Sequence, residues 1–202
     1  MTELHRTDDR LLLAVDGFAR GTGWLHTPVL LFATYGLVLF GALLAAGLWT
    51  RRGRSDRELA AAGWAPVAAL LALALNQPLG AAVGEARPYD AHPDLLVLAT
   101  RTTDVSFPSD HAVVAGACAA GLWLVSRRIG AVAAVLAVLM AGARVYIAAH
   151  YPWDVAAGLV VGAVVAMAGW WLLHRPLTAL TGWLRARPGV RVAFPAPALT
   201  RS

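Results

Sequence analysis

The sequence predicts an all-α membrane protein, a polytopic bundle of about five to six transmembrane helices, on three observations. The 202-residue chain is 58% hydrophobic with a mean hydropathy of +0.60, more apolar surface than a soluble domain of this length buries. Several apolar stretches reach the roughly 20 residues that a helix needs to cross about 30 Å of hydrocarbon. The basic residues, 17 Arg and no Lys, fall in short clusters between those stretches rather than along one basic face. The net charge of +5 therefore points to membrane topology and away from a nucleic-acid partner.

Taken in order, residues 1–26 form an N-terminal interfacial segment, in which Leu11, Leu12, Val15 and Phe18 share a helical face opposite Arg10 and Asp16. The N-terminus lacks the basic start, apolar centre and small-residue exit of a cleavable signal, so the first span is expected to insert the chain. Residues 27–175 are the membrane domain. Its five spans are Thr27 to Trp49, Gly63 to Val83, His111 to Val125, Ile129 to Ala148 and Trp153 to Leu173, the third being short. Residues 176–202 are a cytoplasmic tail, amphipathic over Pro176 to Arg187 with Leu177, Leu180 and Leu184 on one side, and loosely ordered beyond Pro188.

Charge orients the bundle. Arg51, Arg52, Arg54 and Arg57 fill the first loop, Arg127 and Arg128 the third, and five further Arg follow the last span, so these regions are expected in the cytoplasm. The loop from Glu85 to Asp110 and the turn around His150 then face outward. The aromatic belts agree, with Trp24, Tyr146, Tyr151 and Trp153 on the outer side and Trp49, Trp64, Trp123, Trp170 and Trp171 on the inner.

Ionisable residues at membrane depth are costly and need a reason. Here they gather on the outer side: Arg87-Pro88 after the second span, Pro108-Ser109-Asp110-His111 at the start of the third, Arg144 ending the fourth, and His150 and Asp154 flanking the start of the fifth. Arg144, five intervening residues, His150, three more and Asp154 complete a set of three motifs. In order and spacing these resemble the signatures of the type 2 phosphatidic acid phosphatase superfamily, with Glu85 and Asp110 similar to its undecaprenyl-diphosphate branch. Two positions depart from the family pattern: Gly80 stands where a Lys is usual, and Ala143 where a Ser often precedes Arg144.

The resemblance implies an integral plasma-membrane enzyme that hydrolyses a lipid phosphate without a cofactor or metal, with its active site on the extracytoplasmic side. By that resemblance His150 attacks phosphorus, Asp154 orients the imidazole, and His111 protonates the leaving oxygen and then activates water. Arg87 and Arg144 supply planar donors to the phosphate, joined by Ser109 and by Asp110 and His111 at a helix N-terminus. A prenyl diphosphate is the expected substrate. Phosphatidate, phosphatidylglycerophosphate, transfer to another acceptor and binding without catalysis are the rival readings.

Other polar residues have plainer readings. His5, His26, His92 and His174 are read as tolerated interfacial side chains. Asn76 and Gln77, beside Pro78, either line the substrate cavity or satisfy backbone freed by the proline. Glu85 is a possible accessory to the site. Gly80 to Gly84 and Gly158 to Gly162 both read GxxxG and suit close packing inside the bundle. Cys118, alone in an apolar stretch, forms neither a disulfide framework nor a metal pair.

Overall fold

The computed structural model describes residues 3–195. Among the described residues nine α-helices follow one another: α1 (Glu3–Gly21), α2 (His26–Tyr35), α3 (Leu37–Arg51), α4 (Asp56–Val83), α5 (Pro88–Ala91), α6 (Asp110–Val125), α7 (Arg127–Tyr146), α8 (Pro152–Arg185) and α9 (Pro188–Ala193). Three helices are long and apolar enough to cross a membrane, the bent pair α2–α3 makes a fourth, and α6 is a shorter apolar helix among them. The protein is therefore an all-α membrane bundle.

The bundle is inverted relative to a soluble protein. Leu70, Val138, Val160 and Leu172 point outward, 62–70% exposed, where they meet lipid tails. Its interior is built of small residues: Ala65, Ala68, Ala72, Ala112, Ala115, Ala117, Ala133 and Ala166 are fully buried. Without a hydrophobic force between helices in lipid, close backbone approach supplies the attraction. Gly158 and Gly162 of α8 make that approach possible. A Cβ on Gly158 would lie 2.9 Å from both the Ala112 Cβ and the Ser109 carbonyl, and one on Gly162 would strike the Val113 carbonyl of α6. The second GxxxG thus packs α8 on α6 within one chain. Gly84 has a different task, ending α4 with a left-handed φ of 66°.

Four expectations are corrected. The first span is not one rod: α2 and α3 meet at 50° around Gly36, where a side chain would collide with the Phe32 carbonyl and with Met140 of α7. The N-terminal segment is one helix over Glu3–Gly21 that docks on the bundle through Leu12 and Ala19, while Leu11 and Phe18 stay exposed. Its Asp16 is occupied, accepting from the Leu96 N–H at 2.7 Å and from Arg20. Pro176 does not separate a tail, because α8 runs through it for 34 residues with Leu177 packed on the core and Gly182 against Asp56. Residues beyond Pro188 form α9, and the Arg185 guanidinium holds the carbonyls of Phe194 and Pro195. The expectation of a loose end at residues 196–202 lies outside the described residues.

A candidate active site at one end of the bundle

The turn between α7 and α8 carries His150. Ala148 takes a left-handed φ of 59°, uncommon for a residue with a Cβ, and so reverses the chain: the Ala149 N–H returns to the Arg144 carbonyl at 3.1 Å. α8 then starts at Pro152, whose missing N–H costs nothing in a first turn, and Asp154 caps it by accepting from the Tyr151 N–H at 2.8 Å. His150 is 2% exposed and Asp154 fully buried.

The two imidazole nitrogens have different partners. Nδ1 lies 2.9 Å from the Ser106 carbonyl, which can only accept, so Nδ1 carries the proton. Nε2 is left with its lone pair, 3.1 Å from Arg87 Nη1 and 3.3 Å from Arg144 Nη2. Asp154 stands one step back. Its Oδ2 is 3.6 Å from Nδ1 and accepts the Ser106 hydroxyl at 2.5 Å. Burial holds His150 below its ordinary pKa; the Asp154 hydrogen bond opposes this, and the charges of Arg144 and Arg87 add to it. A neutral imidazole whose unprotonated nitrogen faces two guanidinium groups has the arrangement that a nucleophile beside an anion site requires.

Arg87 is positioned largely by backbone. Arg87 follows Gly84 at the end of α4 and donates to the Asp104 carbonyl, the Ala149 carbonyl (2.9 Å) and the Asp104 carboxylate (2.8 Å). Asp104 is half-open to solvent; burial works against its ionisation, but hydrogen bonding from Thr102 and the Arg87 charge hold its carboxyl below the usual range. Arg144 has a buried Nε without a partner. Ser109 Oγ, at the cap of α6, is also buried and unpartnered. Buried polar groups without partners are expensive; Arg144 lines the cavity, where a phosphate oxygen would satisfy it, whereas Ser109 is not among the lining residues.

Arg87, His111, Arg144 and His150 line one cavity of about 390 Å³, together with Asp110 and Asn76. Four separate stretches of chain thus converge on one pocket. Asn76 donates to Asp110 at 2.7 Å and to the Pro108 carbonyl at 3.0 Å, and Gln77 adds bonds at 3.1 and 3.3 Å. These amides serve the cavity wall, not the backbone of their own helix. Gly80 also lines the cavity, where a Cβ would lie 3.0 Å from the Phe107 carbonyl, so the position that usually carries a Lys is closed over by the chain before α6. Glu85 is not in this cavity. It lines a second one, of about 240 Å³, with Asp8 and His5.

Sequence reasoning missed Ser106, which fixes the tautomer, and Asp104, which fixes Arg87. Ser106 stands two residues before the second motif, and a polar residue in the extended stretch leading to a buried helix start was the available signal. His26 and His174 bond locally, to the Ala19 and Trp171 carbonyls, and His92 ties its loop to Asp9 of α1.

Known proteins place the chain. The model of the PAP2 superfamily matches residues 61–177, more than half the length and all of the cavity-lining motifs. The undecaprenyl-diphosphatase BcrC of Bacillus subtilis (strain 168) is 26% identical over 152 residues, covering 75% of this chain and 77% of that protein. The bacitracin transport permease protein BcrC of Bacillus licheniformis is 28% identical over 144 residues, 71% and 70% of the two chains. The putative undecaprenyl-diphosphatase YbjG of Escherichia coli (strain K12) is 28% identical over 165 residues, 77% and 79%. No solved structure matches. On the family match and the assembled motifs, the chain belongs to the PAP2 superfamily and is a membrane lipid phosphatase.

Proposed function

We propose that the protein hydrolyses a polyprenyl diphosphate, such as undecaprenyl diphosphate, through a phosphohistidine on His150. The observation that carries this reading is the His150 tautomer: Nδ1 is pinned by the Ser106 carbonyl and the lone pair of Nε2 lies between two guanidinium groups. Nε2 forms a bond to the terminal phosphorus while the bond from phosphorus to the bridging oxygen breaks. His111 supplies the proton to that oxygen, and the prenyl monophosphate departs. Water then attacks the phosphohistidine, giving up a proton to His111, and inorganic phosphate leaves with the imidazole restored. Arg87, Arg144, Ser109 and the α6 N-terminus, with Asp110 fixed by Asn76, hold the phosphoryl oxygens as charge moves.

The diphosphate is supported by the names of the relatives, two of which read undecaprenyl-diphosphatase. An apolar side to the cavity, with Leu30, Val105 and Phe107, supports a lipid reaching it sideways from the bilayer. The distribution of arginines supports a plasma-membrane location with this end outward.

The test is phosphate release by the purified protein in detergent from undecaprenyl diphosphate, undecaprenyl phosphate and phosphatidate. Release fastest from the diphosphate is expected, with His150→Ala lowering kcat by about 10⁴-fold. Equal rates on all three lipids would remove the substrate assignment. Equal release by wild type and His150→Ala would remove the nucleophile.

A further inference from the structure

Behind the phosphate cavity lies the second one, bounded by Glu85, Asp8, His5, Val83, Trp153 and Phe107. Phe107 is common to both and forms the partition between them. Three carboxyl groups meet on its far side. Asp8 of α1 accepts the Trp153 N–H at 2.9 Å, at the first turn of α8. Glu85 gives its backbone carbonyl to the Ser106 N–H at 2.8 Å, which brings its carboxyl against that of Asp154.

Asp154 is the group in need. It is wholly buried; Oδ2 takes the Ser106 hydroxyl and the Tyr151 N–H, but no N–H or hydroxyl reaches Oδ1. Leaving that oxygen bare would cost a buried acceptor its whole solvation. A carboxyl group can satisfy another only by donating a proton, because two carboxylates repel and neither is a donor.

Building on the phosphohistidine reading, we infer that Glu85 is a positioning residue: as a neutral acid it donates a hydrogen bond to Asp154 Oδ1 and so keeps the Asp154–Ser106–His150 chain aligned. It is not a ligand of the substrate phosphate. The groups facing the pair are Asp8 and His5 from α1, Tyr151 from the turn before α8, Asp154 itself from α8, and His150 beyond Ser106. When Glu85 ionises, a second negative charge stands against Asp154 and the donor is gone. The carboxylate then draws away from Ser106, the Ser106 carbonyl loses its register with Nδ1, and attack slows. The rate therefore falls on the alkaline side as that proton leaves.

The neutral isostere tests this. In Glu85→Gln the amide donates where the acid did and never ionises. The expected result is a kcat on undecaprenyl diphosphate within about threefold of wild type at neutral pH, with the alkaline fall abolished. Glu85→Ala is expected to lower kcat by about tenfold to a hundredfold with little change in KM, as for a small misplacement of a nucleophile. Infrared spectroscopy of the protein without substrate should find the C=O stretch of a protonated carboxyl in the wild type and not in Glu85→Gln. A Gln variant as slow as Ala, a Gln variant with the wild-type pH profile, or an unchanged carboxyl band would each overturn the inference. The infrared band does not depend on the substrate. A wild type inactive on the diphosphate but retaining that band would count against the proposed function and leave the carboxyl pair standing.

Discussion

Two arginines at opposite ends of the same bundle, one buried and one half-buried, make an instructive pair. Arg185 and Arg144 each stand in the last turn of a helix. Arg185 is saturated: its three nitrogens reach Asp56 at 2.6 Å and the carbonyls of Arg52, Arg54, Phe194 and Pro195. Arg144 is left short, with a buried Nε that has no partner and an Nη2 that reaches His150 Nε2 at 3.3 Å on the wall of an open cavity. A guanidinium whose donors are all used is a clasp, here tying α8 and α9 to the loop before α4. One whose donors are held open is waiting for an anion. Residue type and place in the helix do not distinguish them; satisfaction does.

The comparison breaks if the two substitutions behave alike. Arg144→Ala is expected to lower kcat/KM by about 10³-fold, the size of losing a preorganised donor at a developing oxyanion, with a thermal midpoint close to wild type. Its residual activity carries a second signature. In the proposed mechanism His150 attacks only as the neutral imidazole, and burial, with the Arg144 and Arg87 charges, keeps its pKa below the ordinary value. Activity should therefore persist below about pH 6.5, falling only as pH drops through the depressed pKa. Removing the Arg144 charge should move that acid limb to higher pH. Arg185→Ala should do the reverse: a stability loss of about 2 kcal/mol, read as a lower midpoint in detergent, with kcat and the acid limb of the folded fraction unchanged. An Arg185 variant that folds as well as wild type would show the clasp to be ornamental.

The smallest effect concerns the turn that presents His150. An Ala→Gly change inside a helix costs about 1 kcal/mol, but Ala148 sits at a φ of 59° where its Cβ is strained. Ala148→Gly should cost nothing measurable or raise the midpoint slightly. A loss of about 1 kcal/mol would mean that the turn is held by its side chain.

The charged part of the site was legible because charge in an apolar chain is conspicuous. Arg87, His111, Arg144, His150 and Asp154 stand out against alanine, leucine and valine, and topology alone brings them to one end. What the sequence hid was backbone work. The carbonyls of Ser106 and Ala149 fix His150 and Arg87, and any residue could supply a carbonyl. Glu85 was read as a possible accessory to the site, two residues from Arg87, whereas the turn after Gly84 sends their side chains into different cavities. The spans themselves were read from apolar length, a cue that cannot register a bend such as that at Gly36 or a helix that continues through Pro176.

The crossing of α6 and α8 carries a last consequence. Ser109 is seated by the Asp154 carbonyl, which accepts its N–H at 3.2 Å, and Gly158 lies directly beneath. One methyl group there would wedge the two helices apart at the level where nucleophile and cradle meet. Every charged group would survive that change, and the chain would still read as an enzyme by its motifs. Inheritance of this activity therefore depends on an empty space as much as on any functional group.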